Sequence, residues 1–189
     1  MRALLSLGIV LGFGATRTLA YWTDTASMTT GSFTAGSLDL RLNGSNASGP
    51  GTDYANTSLT WSGLLPAEAK AFDVTVNNVG DAPFTYLASV TKGASWTFVD
   101  NPITVRLFTG SAVHDTVYPQ VDTCSGVSIG SLQRVDGTNR SLIDAARRLA
   151  ANSSESICVL VGLATDAANG DQGKAGSLSF GIAATQAAS

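Results

Sequence analysis

The sequence has little of what metalloenzymes and nucleic-acid-binding proteins are built from. It holds one histidine, His114, and no H-E-x-x-H pattern, which would place two zinc-binding histidines on one face of a helix. Charged residues make up 13% of the chain, with 11 Lys and Arg against 14 Asp and Glu, and no basic cluster occurs. This pattern argues against a nucleic-acid or anionic-lipid partner. We therefore expect no catalytic residue, no cofactor and no metal ion.

Cysteine and proline are also scarce, with two and five in 189 residues, whereas glycine occurs 20 times. This composition and length suit one globular domain rich in strands and turns. In an exported protein, Cys124 and Cys158 are expected to form one disulfide that closes a loop of about 35 residues. The alternative is two separate buried thiols, because Cys158 lies in a very apolar segment.

The chain lacks an apolar run long enough to span a bilayer. Residues 4–15 form an apolar run of about 12, the length of the hydrophobic region of a signal peptide. Arg2 precedes it, and the small residues of Thr18-Leu19-Ala20 predict cleavage between Ala20 and Tyr21. A buried N-terminal helix is the alternative, which the glycines of this segment disfavour. We predict a signal-peptide helix at 1–20, a donor or linker segment at 21–36 and a β-sandwich domain at 37–189.

Alternation of apolar and polar residues predicts about eight short strands, most of them half-buried and antiparallel. The predicted strands cover residues 38–42, 58–64, 71–77, 83–91, 95–99, 103–109, 155–165 and 177–183. Residues 155–165 are apolar almost throughout, which indicates a strand buried on both faces. The fold class is therefore mainly β, a jelly-roll-like antiparallel β-sandwich.

One segment predicts a short helix in this β-rich chain. Ser141 and Asp144 have the spacing of a capping box, and Leu142, Leu149 and three alanines form an apolar stripe over residues 141–150. Arg147 and Arg148 would fall in the last turn, where the helix dipole favours cations. We expect this helix to cover a sheet.

Three groups of residues invite a chemical interpretation, and each also has a structural one. His114 follows a glycine-containing turn, and we expect an exposed loop histidine there. Asp166, Asn169 and Asp171 offer oxygen ligands for calcium, although such a loop is more often a solvated turn. Trp61 and Trp96 suit a sugar-binding face, although tryptophans in strands more often belong to the core.

Several stretches resemble a known family of exported bacterial proteins. The leader ends in GATRTLAYWTD and is followed by GSFTAGSLDLRLNG, as in proteins cleaved by a SipW-type signal peptidase. WSGLLPAEAKAFDVTVNNVGDAPFTYLASV and ICVLVGLATDAANGDQGKAGSLSFGIAATQ are similar to further parts of the same family. The resemblance is to the TasA/camelysin group, in its actinobacterial branch. One departure is Pro66-Ala67-Glu68, where many relatives carry Pro-Gly-Asp or Pro-Gly-Glu.

The resemblance implies a secreted subunit of extracellular matrix or surface fibres. After cleavage by the SipW-type peptidase, residues 21–34 would act as a donor strand for the next subunit, with Tyr21, Trp22, Met28 and Phe33 as anchors. Contact with the membrane would be only through the uncleaved signal peptide. One alternative is that this segment pairs within its own subunit. Others are a monomeric secreted adhesion module and a camelysin-like metallo-endopeptidase.

The predicted cleavage site can be tested by mass spectrometry of the exported protein. The mature chain should begin at Tyr21, because Ala20 completes the small-x-small pattern that signal peptidases cut. A mature N-terminus at any other residue would contradict this site.

Overall fold

The computed structural model of the chain describes residues 37–46 and 63–187. These residues form a mainly β structure with antiparallel sheets. The predicted signal peptide, the donor segment and most of the predicted strand at 58–64 lie outside the described residues. The strands are β1 (Leu40–Leu42), β2 (Ser45–Asn46), β3 (Ala69–Asn78), β4 (Phe84–Trp96), β5 (Ile103–Thr109), β6 (Ala112–Val113), β7 (Thr123–Cys124), β8 (Gln133–Arg134), β9 (Arg140–Ser141), β10 (Arg147–Leu149), β11 (Ser153–Leu163) and β12 (Gly176–Gln186).

Two sheets enclose one core, as in a β-sandwich. The larger sheet has the order β2-β1-β3-β11-β5-β8, and the smaller has the order β10-β4-β12, with β9 also paired to β4. β6 and β7 form a separate two-stranded ribbon. Buried side chains from both sheets meet in a single apolar cluster that includes Val76, Phe84, Val90, Val105, Leu142, Ile157 and Val161.

The apolar patterns of the sequence predicted all or part of six of the twelve described strands, β1, β3, β4, β5, β11 and β12, but none of the short strands β2 and β6 to β10. The predicted strand at 103–109 coincides with β5, and the predictions at 71–77 and 177–183 fall inside β3 and β12. Strand β4 covers nearly all of the strand predicted at 83–91 and continues to Trp96, so residues 97–99 of the strand predicted at 95–99 lie outside it. In β4, Phe84 and Tyr86 are buried whereas Leu87 is exposed, because successive side chains of a strand point to opposite faces.

Strand β11 is buried on both faces, as its apolar sequence predicted. Ile157, Cys158 and Val159 are consecutive and each is at most 4% exposed. Ile157 and Val159 belong to the core cluster. Cys158 forms the predicted disulfide with Cys124 of β7, with 5.9 Å between their Cα atoms. The outer face of β11 is therefore covered by the β6–β7 ribbon, not by a helix.

The predicted helix at 141–150 is wrong. Its residues include β9 and β10, which pair with β4, and the one helix among the described residues is the 3₁₀ turn Asn169–Asp171. The stripe that predicted a helix is mostly alanine, and Ala145, Ala146 and Ala150 are exposed. A short helix is stable only when it buries an apolar face, and these alanines bury too little.

Hydrogen bonds to other elements replace those of the predicted helix. The backbone N–H of Leu142 donates to the carbonyl oxygen of Ala88 at 2.8 Å. The side-chain amide of the buried Asn78 donates to the carbonyl oxygens of Leu149 and Ala150, at 3.3 and 3.0 Å. These contacts satisfy backbone groups that would otherwise be buried without partners.

A cluster of polar side chains at the edge of the core joins the two sheets. Tyr86 of β4 donates its hydroxyl hydrogen to Glu155 of β11 at 2.6 Å, and Arg147 Nε of β10 donates to Glu155 Oε1 at 3.0 Å. Burial and the bond to Glu155 raise the pKa of Tyr86. Partial burial alone would raise the pKa of Glu155, but the hydrogen bonds from Arg147 and Tyr86 outweigh it and lower that pKa. Arg147 thus binds a carboxylate instead of ending a helix.

The turn before β3 contains an alanine with a positive φ. Ala67 has a φ of 74°, in the left-handed region that favours glycine. The following residue, Glu68, is buried and accepts backbone N–H groups from Leu65 at 2.9 Å and Gln120 at 3.1 Å. The turn therefore keeps its conformation through the acidic side chain, even though an alanine stands at the position.

Loss of the disulfide should destabilise the domain strongly. The Cys124→Ala/Cys158→Ala variant should lose about 4 kcal/mol of unfolding free energy, because the cross-link closes a loop of about 35 residues in the unfolded chain. Urea titrations of both proteins, with and without a reductant, measure the difference. The reductant should lower the stability of the native protein and leave that of the variant unchanged. Equal stabilities of the two proteins would contradict the prediction.

Candidate docking edge and adjoining cleft

Strand β12 has one paired edge and one open edge among the described residues. Over its 11 residues it pairs with β4, and no strand of 37–46 or 63–187 lies on its other side. The segment from Gly176 to Gln186 contains no charged residue and no proline. Natural sheets usually protect an edge with charges, proline, a bulge or a very short strand. Apart from one register irregularity at its start, β12 has none of these protections.

The register identifies which backbone groups face the open edge, called the docking edge below. Ala187 N–H donates to the carbonyl oxygen of Pro83 at 2.9 Å, one step beyond the pairing of Gln186 with Phe84. Hydrogen-bonded pairs alternate along antiparallel strands, so odd-numbered residues of β12 bond to β4. Five residues therefore turn their N–H and C=O groups to the docking edge: Leu178, Phe180, Ile182, Ala184 and Gln186.

The side chains along the docking edge leave the core partly uncovered. Leu178, Phe180, Ile182 and Ala184 face the core but are only half-buried. Their partners on β4, such as Tyr86, Ala88 and Val90, are at most 5% exposed. Within the described part of the chain, a strand added at this edge would complete both the backbone ladder and the apolar layer.

A cleft of about 580 Å³ lies beside the start of β12. Its walls include the apolar side chains of Leu64, Leu65, Phe98, Ile103 and Leu163, and most residues between Ala167 and Gly176 also line it. Asp171 and Lys174 are the charged residues among those that line it. The volume falls in the range of typical small-ligand sites, about 300–1,000 Å³.

Asp171 is the buried polar residue of this cleft. It is 6% exposed, and its Oδ1 accepts N–H groups from Val99 at 2.7 Å and Asp100 at 3.4 Å. Its Oδ2 is buried and accepts no hydrogen bond from the described residues. Buried carboxylate oxygens normally have partners, so this atom marks a position where a hydrogen-bond donor would fit.

The residues considered for calcium do not converge. Asp166 pairs with Arg134, and this hydrogen bond lowers the pKa of Asp166. Asp171 instead binds the backbone of Val99 and Asp100. Asn169 begins the 3₁₀ turn, and its side chain does not bond to either carboxylate. Across residues 37–46 and 63–187, no group of three or more His, Cys, Asp or Glu is arranged to hold a metal ion.

Of the two tryptophans considered for a sugar-binding face, one lies among the described residues. Trp61 lies outside the described residues, whereas Trp96 packs against the core. The Trp96 ring meets Phe98 edge-on at 5.2 Å between centroids, and Lys92 Nζ lies 4.8 Å from its centroid. Trp96 is therefore a packing residue, as the structural interpretation expected.

His114 lies in an exposed loop, as expected, but sequence reasoning missed its buried partner. The side chain is 67% exposed, and its Nδ1 lies 3.0 Å from Oδ2 of Asp122. Asp122 is 1% exposed and also accepts the N–H groups of Ala71 at 3.1 Å and Asp115 at 2.8 Å. Asp122 thus fixes the β6–β7 ribbon to β3. Its neighbours in sequence offered no signal for this role, because it depends on contacts across about 50 residues.

The electrostatics of Asp122 favour its charged form. Burial alone would raise the pKa of Asp122, but the bonds from His114, Ala71 and Asp115, together with the charge of Lys70, lower it below the ordinary value. The geometry places no serine hydroxyl in hydrogen-bond contact with His114 among the described residues.

The other predicted site residues, Ala20, Tyr21, Trp22, Met28 and Phe33, lie outside the described residues. No protein-family model matches the sequence, and comparison with curated proteins finds no match. Among the helices in the described ranges, none has the length and apolar character needed to cross a bilayer. Functional inference therefore depends on the docking edge and the cleft.

Replacing the buried Asp122 should weaken the domain in a pH-dependent way. Asp122→Asn should lower the unfolding free energy at pH 7 by roughly 1–3 kcal/mol, because buried hydrogen bonds to a charge are lost. The folded-state pKa is lowered, so this stabilisation is complete above the ordinary pKa of 3.8 and disappears as pH falls through the lower folded value. Urea titrations at pH 7, 4 and 3 measure it. Asp144→Asn, at an exposed residue bonded to Ser131, is the matched control. A difference between native protein and D122N that persists undiminished at pH 3 would contradict the assignment.

Proposed function

We propose that this protein is a secreted structural subunit of extracellular matrix or surface fibres, similar to TasA. Cleavage between Ala20 and Tyr21 frees residues 21–34, and this segment adds as a strand to the next subunit. The observation that supports the proposal most directly is the docking edge of β12, which is long, uncharged and unpaired among the described residues.

The docking edge has the properties that strand addition requires. An extended peptide binds an exposed edge through main-chain hydrogen bonds, while alternate side chains fill pockets. The backbone groups on the acceptor come from Leu178, Phe180, Ile182, Ala184 and Gln186. In an extended donor, Trp22 and Met28 share one face and Tyr21 and Phe33 share the other, so one pair faces the partly covered core.

The geometry of such an interface leads to a filament. The donor segment and the docking edge are different surfaces of one chain, so the contact is head-to-tail and need not close into a ring. Each added subunit then presents a new docking edge, and growth continues at one end. While the leader remains attached, the donor segment is held at the membrane.

Compartment and partners follow from the same proposal. The disulfide between Cys124 and Cys158 suits an oxidising environment outside the cytoplasm. The partners are a SipW-type signal peptidase and further copies of the chain, with no nucleic acid and no cofactor. The proposal also includes the jelly-roll topology of the sandwich and the helical signal peptide at 1–20.

A monomeric secreted adhesion or binding module is the second candidate function. The cleft of about 580 Å³ beside β12 favours it, because a cavity of this size suits a small ligand. We do not propose the camelysin-like metallo-endopeptidase activity. Deletion of residues 21–34 separates the two candidates: a fibre subunit loses polymerisation and keeps its fold, whereas an adhesion module keeps its ligand.

A proline at the docking edge should weaken assembly and leave the subunit folded. Ala184→Pro removes an N–H group that faces away from β4, so the pairing with β4 is retained. We expect the critical concentration for fibre formation to rise about tenfold, because one intermolecular hydrogen bond is lost and the ring obstructs the incoming strand. Sedimentation and electron microscopy of the mature protein measure it.

Two variants control this experiment. Ala184→Val adds bulk but keeps the N–H group and should assemble normally. Ala183→Pro removes a bond to Leu87 on β4 and should lower the melting temperature of the subunit itself. Normal assembly of A184P would show that β12 is not the acceptor. Mature native protein that stays monomeric at high concentration would reject the fibre function.

A further inference from the structure

The cleft beside β12 combines apolar walls with the buried side chain of Asp171, one oxygen of which has no donor among the described residues. Asp171 Oδ2 is buried and accepts no hydrogen bond from the described residues, although the other oxygen of the same group accepts two. Phe98, Ile103 and Leu163 contribute apolar wall. Such a site selects a ligand that carries an N–H donor next to an apolar group, and a protonated amine would gain a charge-assisted bond.

Lys174 is the other charged residue that lines the cleft, and it is exposed. Its backbone N–H donates to the carbonyl oxygen of Asp171 at 3.1 Å, but its ammonium group has no ion pair with a described carboxylate. Solvent screens the charge of an exposed lysine. The buried Asp171 carboxylate therefore decides which charge the interior of the cleft favours.

We propose that this cleft binds the free amino terminus of a second, processed copy of the chain. This inference rests on the proposed function. Cleavage after Ala20 creates an ammonium group on Tyr21, followed directly by the aromatic ring of Trp22. The ammonium group donates to Asp171 Oδ2, and the aromatic side chains occupy the apolar part of the cleft.

The position of the cleft agrees with the docking edge. Gly176, the first residue of β12, lines the cleft, so a segment anchored there continues along β12 from its first residue. The donor strand then runs parallel to β12. Before cleavage the nitrogen of Tyr21 belongs to an uncharged peptide bond and cannot make the ammonium contact. Processing therefore creates the binding group itself, in addition to releasing the segment.

The acceptor in this test is the full chain with Ala20→Arg, a substitution that prevents cleavage of the leader. The retained leader holds the protein in a nanodisc. The probe is a synthetic peptide of residues 21–34 with a dye at its carboxyl end, prepared once with a free amine and once acetylated. Fluorescence anisotropy gives the two Kd values. Acetylation should weaken binding at least tenfold, because it removes the ammonium group.

Variants of the acceptor assign the effect to Asp171. Asp171→Asn keeps an oxygen that accepts the N–H of Val99. This variant should bind the free peptide as weakly as the acetylated peptide, and the Kd of the acetylated peptide should not change. Asp144→Asn, an exposed carboxyl group outside the cleft, should change neither Kd. Lys174→Gln should not weaken binding of the free peptide. Circular dichroism and a melting curve verify that each acceptor is folded.

The outcomes separate this inference from the proposed function. The amine site is overturned if both peptides bind equally well, or if D171N does not change the Kd of the free peptide. Fibres of the mature native protein would still support strand donation in that case. If tryptamine binds in an Asp171-dependent way but the free peptide does not, the cleft is a small-ligand site and the inference fails. Absence of fibres in the mature native protein rejects the proposed function independently of these peptide measurements.

Discussion

Burial of β11 on both faces is the constraint on which the rest of the domain depends. Its run from Ile157 to Val159 leaves no side chain for solvent, so each face needs a covering layer. The smaller sheet covers the inner face with β4. The ribbon of β6 and β7, attached through Cys124 and fixed by Asp122, covers the outer face. A buried strand flanked on both edges by β3 and β5 then becomes the centre of the larger sheet.

The polar contacts of the core determine which edge of the smaller sheet remains open. Glu155 near the start of β11 binds Arg147 of β10 and Tyr86 of β4. Asn78 of β3 donates to the carbonyl groups at the end of β10. These bonds hold β10 against one edge of β4. The other edge of β4 pairs with β12, whose far side has no partner in the described part of the chain. The open edge is therefore a consequence of how the two sheets are connected.

This arrangement places two binding features next to each other. The docking edge offers a row of backbone donors and acceptors, and the cleft at its first residue offers a carboxylate in apolar surroundings. A long edge without charge or proline is a hazard for an isolated protein, because it templates pairing with other chains. For a subunit that assembles by strand addition, the same property is the requirement. The proposed function gives a physical reason for the absence of protective charges along β12.

Sequence reasoning succeeded where one local pattern had one physical interpretation. Alternation placed β3, β5 and β12, and continuous apolarity identified β11 as doubly buried. It failed at 141–150, because an alanine-rich stripe with well-placed caps has the same appearance whether or not a sheet edge competes for its backbone. It missed Asp122 and Asn78, whose partners lie about 50 to 70 residues away in the chain. The sequence offered Asp171 only as one possible oxygen ligand in a loop that is more often a solvated turn, and its relation to the cleft depends on Phe98 and Leu163, which also line it.

By itself the sequence determined the β class, the approximate positions of the long strands and the availability of two cysteines for one bond, since all three follow from side-chain pattern and composition. Only the tertiary structure decided the cover of β11, the fate of residues 141–150 and the open side of β12. These features depend on which segments compete for the same edge or face. Such competition is settled by contacts between residues far apart in the chain, which no local pattern encodes.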